Sequence, residues 1–408
     1  MGYGNEAATS DLTVPDHVPP DLVHVLDHWN GDDYKADPLG FWDSLRETHR
    51  VFWSPMHGGF WCLTRYEDIH EAFQRPDLFS SRLTNIPRRE VRLLPISLDP
   101  PEHTRYRRLV NKPFAPTQIE ALTEQMRARC NQLIDGFIDR GECEFVTEFG
   151  KALPTGIFIE MLGLPLEELD KFLDWNHTII HVQGGEERLA LQRKANDELA
   201  AYLGELIERN RDQPGDNLVG TLLQVELDGE PLPAADVQGF LHMFFMAGLD
   251  TVTSALGWCW RFLAEHPAQR QRLLDDPGLI PNALEELLRF HSFVEDSRTV
   301  ARDLDFAGVA MKEGDRIMLP TATADRDESQ FPDAMRVDFS REPNRHIAFA
   351  AGPHRCVGSH LARAELITAM EEWHQRIPHY RVRPGTTLRA HGGAVVGLDA
   401  LPLVFDVE

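Results

Sequence analysis

The residue whose chemistry stands out is Cys356, in the segment FAAGPHRCVGSHLARAEL (349–366). An irregular, glycine-bearing loop delivers one cysteine to the start of an amphipathic helix. Free N–H groups and the helix dipole favour a thiolate there. Gly352 and Gly358 let the backbone come close to whatever the sulfur binds. The plainer reading, a buried inert cysteine, holds for most lone cysteines. A second constellation, Met246-Ala247-Gly248-Leu249-Asp250-Thr251, lies midway along a long apolar stretch. An acid and a hydroxyl in such surroundings are costly unless they bond to something. Thr251 can bond the carbonyl of Ala247, four residues earlier, and so bend a helix locally. With Gly248 inside it, that bend forms a shallow groove over any flat group laid against the helix; a satisfied core polar pair is the alternative. His103 and Arg107, four apart, share a helix face. Glu286 and Arg289, three apart, can pair on another, which alone says no more than a solvated surface.

These side chains need elements to position them. VFWSPM, a turn at Met56–Gly59 and FWCLTR predict a β-hairpin, and YEDIHEAFQRP a short amphipathic helix. Residues 80–98 lack periodicity and are expected to form a long loop. Asp99 is expected to cap a helix that has Pro100 at its first position. Further helices are predicted over 116–139, 166–182 and 186–211. Residues 234–264 form the longest apolar stretch, and about thirty residues at ~1.5 Å rise reach about 45 Å, long enough to cross the molecule. Being apolar nearly all round, it is expected to be buried. It is also long enough for a bilayer, but Asp250 at its middle and flanks without aromatic or basic anchors argue against a span. NALEELLRFHS ends another helix, residues 298–320 read as strands with a turn at Lys312–Asp315, and Cys356 opens a last helix to about Gln375. Hairpin-like strands close the chain. The expectation is a mainly α fold with a small, scattered β portion.

The 408 residues, 42% of them hydrophobic, can bury a large core. No linker, low-complexity tract or repeat divides them, so a single domain over 1–408 is expected, with a proline-rich lead-in over 1–25. Lys plus Arg number 41 against 65 Asp plus Glu, a net charge of −24, which argues against nucleic acid and anionic lipid as partners. The five cysteines are scattered, odd in number and without a CxxC pair, so neither a disulfide framework nor a structural zinc site is expected, and a reducing cytoplasm fits. The start, MGYGNEAATSDLTVPDHVPPD, has no basic and apolar run of the kind that makes a signal peptide or membrane anchor.

Phe349, Gly352, His354, Cys356 and Gly358 resemble, in register, the haem-binding signature of the cytochromes P-450, Phe-Gly-x-Gly-x-His-x-Cys-x-Gly. Ala350 stands in place of the first glycine, a mild change if that position needs smallness more than special dihedrals. The resemblance covers nearly the whole chain, through VPDHVPPDLV, SLDPPEH, AGLDTV, EELLR, VDFSR and GLDALPLVF, and is nearest to the soluble bacterial camphor- and terpenoid-hydroxylating members. It implies a helix-rich triangular prism with a small β-sheet portion. It also implies haem b with Cys356 as axial ligand, Phe349 shielding the sulfur, and His103, Arg107, Arg298 and His354 at the propionates. A thiolate ligand pushes electron density to the iron and favours O–O cleavage. By the same resemblance Asp250 and Thr251 are the catalytic pair, Thr251 assisting O₂ activation and Asp250 relaying protons. Glu286, Arg289 and Arg341 would form a buried structural network.

The chain carries no flavin or ferredoxin domain, so electrons are expected from a [2Fe-2S] ferredoxin and its NAD(P)H-dependent reductase. The cluster Arg105, Arg107, Arg108 and Lys112 is a candidate docking patch, with a solvated face as the alternative. The implied pocket lining is Met243, Met246, Ala247, Phe293, Val294 and Val395, apolar and soft. Residues 80–98 contain no tyrosine, the residue with which the camphor enzyme binds its ketone, so the expectation moves from camphor to other terpenoids or norisoprenoids. Two rival readings are a haem-thiolate enzyme that uses peroxide or performs non-redox chemistry, and a non-catalytic haem sensor. Neither has the same need of the Asp250–Thr251 pair.

Overall fold

The computed structural model describes residues 12–82, 86, 93–180 and 186–406. Nearly half of the expected long loop (83–85 and 87–92) and the first eleven residues of the lead-in lie outside that set.

The hairpin forms as expected, with β1 (Val51–Ser54) antiparallel to β2 (Phe60–Leu63) and His57 and Gly58–Gly59 at positive φ in its turn. Helix α1 (Tyr66–Gln74) follows, buried through Asp68, Ile69, Ala72 and Phe73 at helical spacing. After β3 (Phe79–Ser80) come α2 (Glu102–Asn111), α3 (Thr123–Asp135), α4 (Ala152–Met161), α5 (Leu169–Ile180) and α6 (Glu186–Arg211). The long apolar stretch is α7, Ala234–Glu265, continuous over 32 residues. Its faces are covered by α4, α5, α6 and the last helix, and 61% of its most apolar window is buried within the protein. Helix α8 (Ile280–Phe290) starts with a proline in its first turn and buries Ile280, Ala283, Leu284 and Leu287 along one stripe. Strands β4 (Glu295–Val300) and β5 (Arg316–Pro320) complete a five-stranded sheet in the order β1-β2-β5-β4-β3, in which only β2 and β5 run parallel. Helix α9 (Ser359–Arg376) packs against α3, and the remaining strands form small two- and three-stranded pieces. Helices dominate, as the sequence predicts.

Two expectations are corrected. Asp99 does not cap a helix with its side chain: the carboxylate accepts the Ser80 hydroxyl (2.6 Å) and the Ser81 N–H (2.8 Å), and the helix begins at Glu102. A tertiary bond to β3 has taken the oxygens that a local cap would use. The single helix expected over 116–139 is two, Pro116–Glu120 and Thr123–Asp135. The turn between them re-aims the second piece so that Met126, Cys130 and Ile134, four apart, all face the core.

Candidate active site

Cys356 sits three residues before α9, on a loop whose shape is set by two residues at positive φ. Gly352 (φ +68°) is obligatory: a Cβ there would lie 2.3 Å from the Phe73 carbonyl oxygen. Ala350 (φ +55°) occupies the left-handed region as well, so this position does ask for special dihedrals, and alanine holds it at about 1–2 kcal/mol of strain. The condition on which the replacement would be mild, a need for smallness more than for special dihedrals, is therefore not met. The Cys356 N–H donates to the Phe349 carbonyl (2.9 Å), folding the loop back so that Phe349 and the sulfur share one wall. At Gly358 (φ −79°) no unusual dihedral is needed; an added Cβ would meet only the Cys356 Sγ, at 3.9 Å.

Cys62, Cys130, Cys143 and Cys259 are buried, whereas the Cys356 thiol opens onto a cavity while protein surrounds it on its other sides. Burial pushes this thiol up; the Gly358 N–H and the charges of Arg107, Arg355 and Arg363 oppose the shift without cancelling it. The helix start alone therefore does not make a thiolate here. A cationic metal centre at the sulfur would, because a coordinating thiol is deprotonated outright.

The cavity, of about 280 Å³, is bounded by α7 and by the Cys356 loop with the first turns of α9. From α7 it receives Met243, Phe244, Ala247, Gly248, Thr251, Val252 and Ala255. A Cβ added to Gly248 would meet nothing within 4 Å, so the helix surface is open there, as a flat group laid against it requires. The Thr251 hydroxyl donates to the Ala247 carbonyl at 2.7 Å, the back-bond expected from the spacing. Asp250, 3% exposed, is buried beside it and does not line the cavity.

One end of the cavity is basic. His103 and Arg107 on α2 do share a face, and both line the cavity with His354. The His103 and His354 rings lie 4.0 Å apart. Both nitrogens of His103 and the Nε2 of His354 are buried without a partner among the described residues. Burial, reinforced by the charges of Arg107 and Arg298, lowers His103 to about 4. Burial, then Arg298, His103 and Arg107, lowers His354 to about 2. Two neutral imidazoles with unfilled hydrogen-bonding atoms beside two guanidiniums form a cradle for carboxylates. Arg298 itself stands behind this pair, its Nη1 on Asp296 Oδ1 at 2.7 Å, so that Asp296 and not Arg298 reaches the cavity wall.

Beneath the loop, Glu286 and Arg289 are fully buried. Arg289 Nε and Nη2 each donate to Glu286 at 2.8 Å, Arg341 Nε at 3.1 Å, Asn344 Nδ2 at 3.1 Å and the Asp338 N–H at 2.9 Å. The network expected of Glu286, Arg289 and Arg341 is present, with two further donors that spacing alone did not disclose.

Of the expected pocket residues, Met243, Ala247, Phe293 and Val294 line the cavity, whereas Met246 and Val395 do not. Met246 turns into the packing between α7 and its neighbours, and Val395 forms a β-bridge with Val294 from outside the wall. Pro95, Ile96, Phe114, Phe158, Met161 and Leu288 line it without having been expected. Most of these come from segments far from any motif, and only the three-dimensional path of the chain assembles them.

A cysteine sulfur facing a slot, with a carboxylate cradle at one end and a hydroxyl on the facing helix, is the donor set of a thiolate-ligated porphyrin. Comparison with known proteins agrees. The family model "Cytochrome P450" matches residues 278–379. The chain is 31% identical to "Probable cytochrome P450 127A1" of Sinorhizobium fredii, over 96% of this chain and 97% of that protein. It is 34% identical to "Mycinamicin IV hydroxylase/epoxidase" of Micromonospora griseorubida, over 90% and 95%. Among solved structures it resembles CYP101J2 (TM-score 0.89, 31% identity, covering 97% of this chain and 100% of that one) and CYP101C1 (TM-score 0.90, 30%, 97% and 100%). The chain belongs to the cytochrome P-450 family. It is a haem-thiolate monooxygenase of the bacterial type, akin to the camphor-like CYP101 group, and takes haem b on a cysteine thiolate.

Proposed function

We propose that this is a soluble, cytoplasmic, single-domain monooxygenase that hydroxylates a small or medium hydrophobic molecule, a terpenoid or norisoprenoid. The balance is RH + O₂ + NAD(P)H + H⁺ → ROH + H₂O + NAD(P)⁺, with the two electrons delivered by a [2Fe-2S] ferredoxin and its reductase. The observation that carries the reading is that the Cys356 sulfur and the Thr251 hydroxyl, from distant parts of the chain, line the same apolar cavity. Haem supplies O₂ activation and C–H oxidation when bound.

The chain's own residues do the rest. Cys356 would hold the haem iron through its sulfur, and Phe349 would shield that sulfur. His103, Arg107 and His354 would hold the propionates, with Arg298 oriented by Asp296 behind them. Thr251, anchored on the Ala247 carbonyl, keeps its oxygen free to accept a second hydrogen bond at the cavity, and buried Asp250 beside it relays protons. Met243, Ala247, Phe293 and Val294 exclude water and fit the substrate by shape. The exposed Arg108 and Lys112 support a basic docking patch; Arg107 turns inward and does not contribute to it. The resemblance of the sequence segments to terpenoid-hydroxylating members of the family supports the terpenoid class.

Optical titration of the ferric protein with terpenoids, fatty acids and aromatics tests the substrate class. A low-spin to high-spin shift with terpenoids alone is expected. A shift with another class, or none, overturns the substrate reading while leaving the haem-thiolate assignment standing. For the mechanism, Thr251→Ala should keep consuming NADH while product falls and hydrogen peroxide rises. Unchanged product yield removes Thr251 from O₂ activation.

A further inference from the structure

The network around Glu286 leaves its neighbour unexplained. Glu285 points the other way, to α9, where its Oε1 and Oε2 receive Arg363 Nε at 2.6 Å and Nη2 at 2.7 Å. The Glu285 Oε2 also faces His346 Nε2 at 2.9 Å. Although burial raises the Glu285 carboxyl, bonds to Arg363 and His346 outweigh it and lower it to about 2, so it is ionised at any working pH. The third arm of the guanidinium, Nη1, donates to the Ser359 carbonyl at 3.2 Å. Held at three points, the guanidinium lies 4.3 Å from the centre of the Phe349 ring, and the His346 ring flanks the same phenyl at 6.1 Å. Phe349 lines the cavity, and its carbonyl accepts the Cys356 N–H. Arg363 is thus a fixed positive charge behind the ring that borders the sulfur.

We propose that Arg363, oriented by Glu285, is a positioning residue that tunes the electron donation of the Cys356 thiolate through the Phe349 ring. The physical reason is that outer-shell charge sets how much electron density a ligand gives its metal. Arg107 and Arg355 are the other guanidiniums near the sulfur. Arg107 lines the cavity at the cradle end and Arg355 is exposed, whereas Arg363 is clamped in one geometry against an aromatic face. A guanidinium in that place withdraws density and raises the iron potential, which eases the first electron transfer from an external donor.

The inference rests on Cys356 being the haem ligand, and the test separates the two. Midpoint potentials and ferrous–CO spectra are measured for the holoenzyme and for the R363Q, R363K and E285Q variants. A parent lacking the thiolate-type CO band would sink the ligand assignment. With that band present, R363Q should lower the midpoint potential and displace the CO band, R363K should restore most of both, and E285Q, which leaves the arginine uncompensated, should move the potential upward. The proposal is overturned if R363Q keeps the parent potential, or if R363K and R363Q shift it equally. Should R363Q fail to hold haem, E285Q decides, and an unchanged potential in it overturns the proposal.

Discussion

Replacing Glu286 by Gln keeps the shape of the side chain and removes its charge. In the folded protein Glu286 accepts from Arg289, Arg341, Asn344 and the Asp338 N–H, with no solvent to replace any of them. An amide offers one acceptor oxygen and turns an NH₂ towards guanidinium donors, so Arg289 is left buried beside its own kind. Breaking a buried pair in this way costs about 3–5 kcal/mol. At about 2.1 cal/mol/K of unfolding entropy per residue, a chain of 408 residues shifts its thermal midpoint by about 5 °C for 4 kcal/mol. Arg341→Gln is the control. Its side chain is 11% exposed and its other arms bond the Pro332, Asp333 and Arg336 carbonyls at the surface, where water can replace them. A loss of about 1–2 kcal/mol, or about 1–2 °C, is expected. Midpoints are read by tryptophan fluorescence and by haem absorbance in parallel. Equal destabilisation by the two variants would refute the argument that burial, rather than the number of bonds, sets the cost.

Three further outcomes are expected. Burial raises Glu295 and Glu365 to about 8 from an unfolded value near 4.5. The folded state therefore binds more protons in between, and stability present below about pH 4.5 is lost as pH rises through about 8. Glu295→Gln and Glu365→Gln should flatten the fall in thermal midpoint between about pH 4.5 and about pH 8, and an unaltered slope would show that neither group titrates there. Ala350→Gly relieves about 1–2 kcal/mol of left-handed strain against about 0.4–1 kcal/mol of unfolded-chain entropy, so the midpoint should rise slightly; a fall would mean that alanine is not strained. Met243→Ala should weaken substrate binding in the spin-shift titration by about tenfold, worth about 1.4 kcal/mol, while Met246→Ala leaves it within about twofold. The reverse ranking would put Met246, not Met243, against the substrate.

The local motifs were legible because their chemistry depends on spacing of a few residues. A hydroxyl four residues after a carbonyl makes the Thr251–Ala247 bond, and an acid three residues before an arginine makes the Glu286–Arg289 pair, whatever surrounds them. The long apolar run of α7 and the stripe of α8 were equally plain, since hydrophobic periodicity reports burial directly. Where the sequence misled, a distant partner had intervened. Asp99 gave its oxygens to Ser80 and Ser81 instead of a helix start. Ala350 looked like a harmless replacement until the loop placed it at positive φ. Met246 and Met243 are one helical turn apart, and residue type does not say which of them faces the cavity.

By itself, then, the sequence determined which residues carry chemistry, because thiolate, hydroxyl and paired charges are properties of side chains and short spacings. The tertiary structure alone decided the upward push of burial on the thiol, the neutrality of the two histidines and the lining of the cavity. Those depend on burial and on fields from residues remote in the chain, and both arise only when the chain has closed around the site.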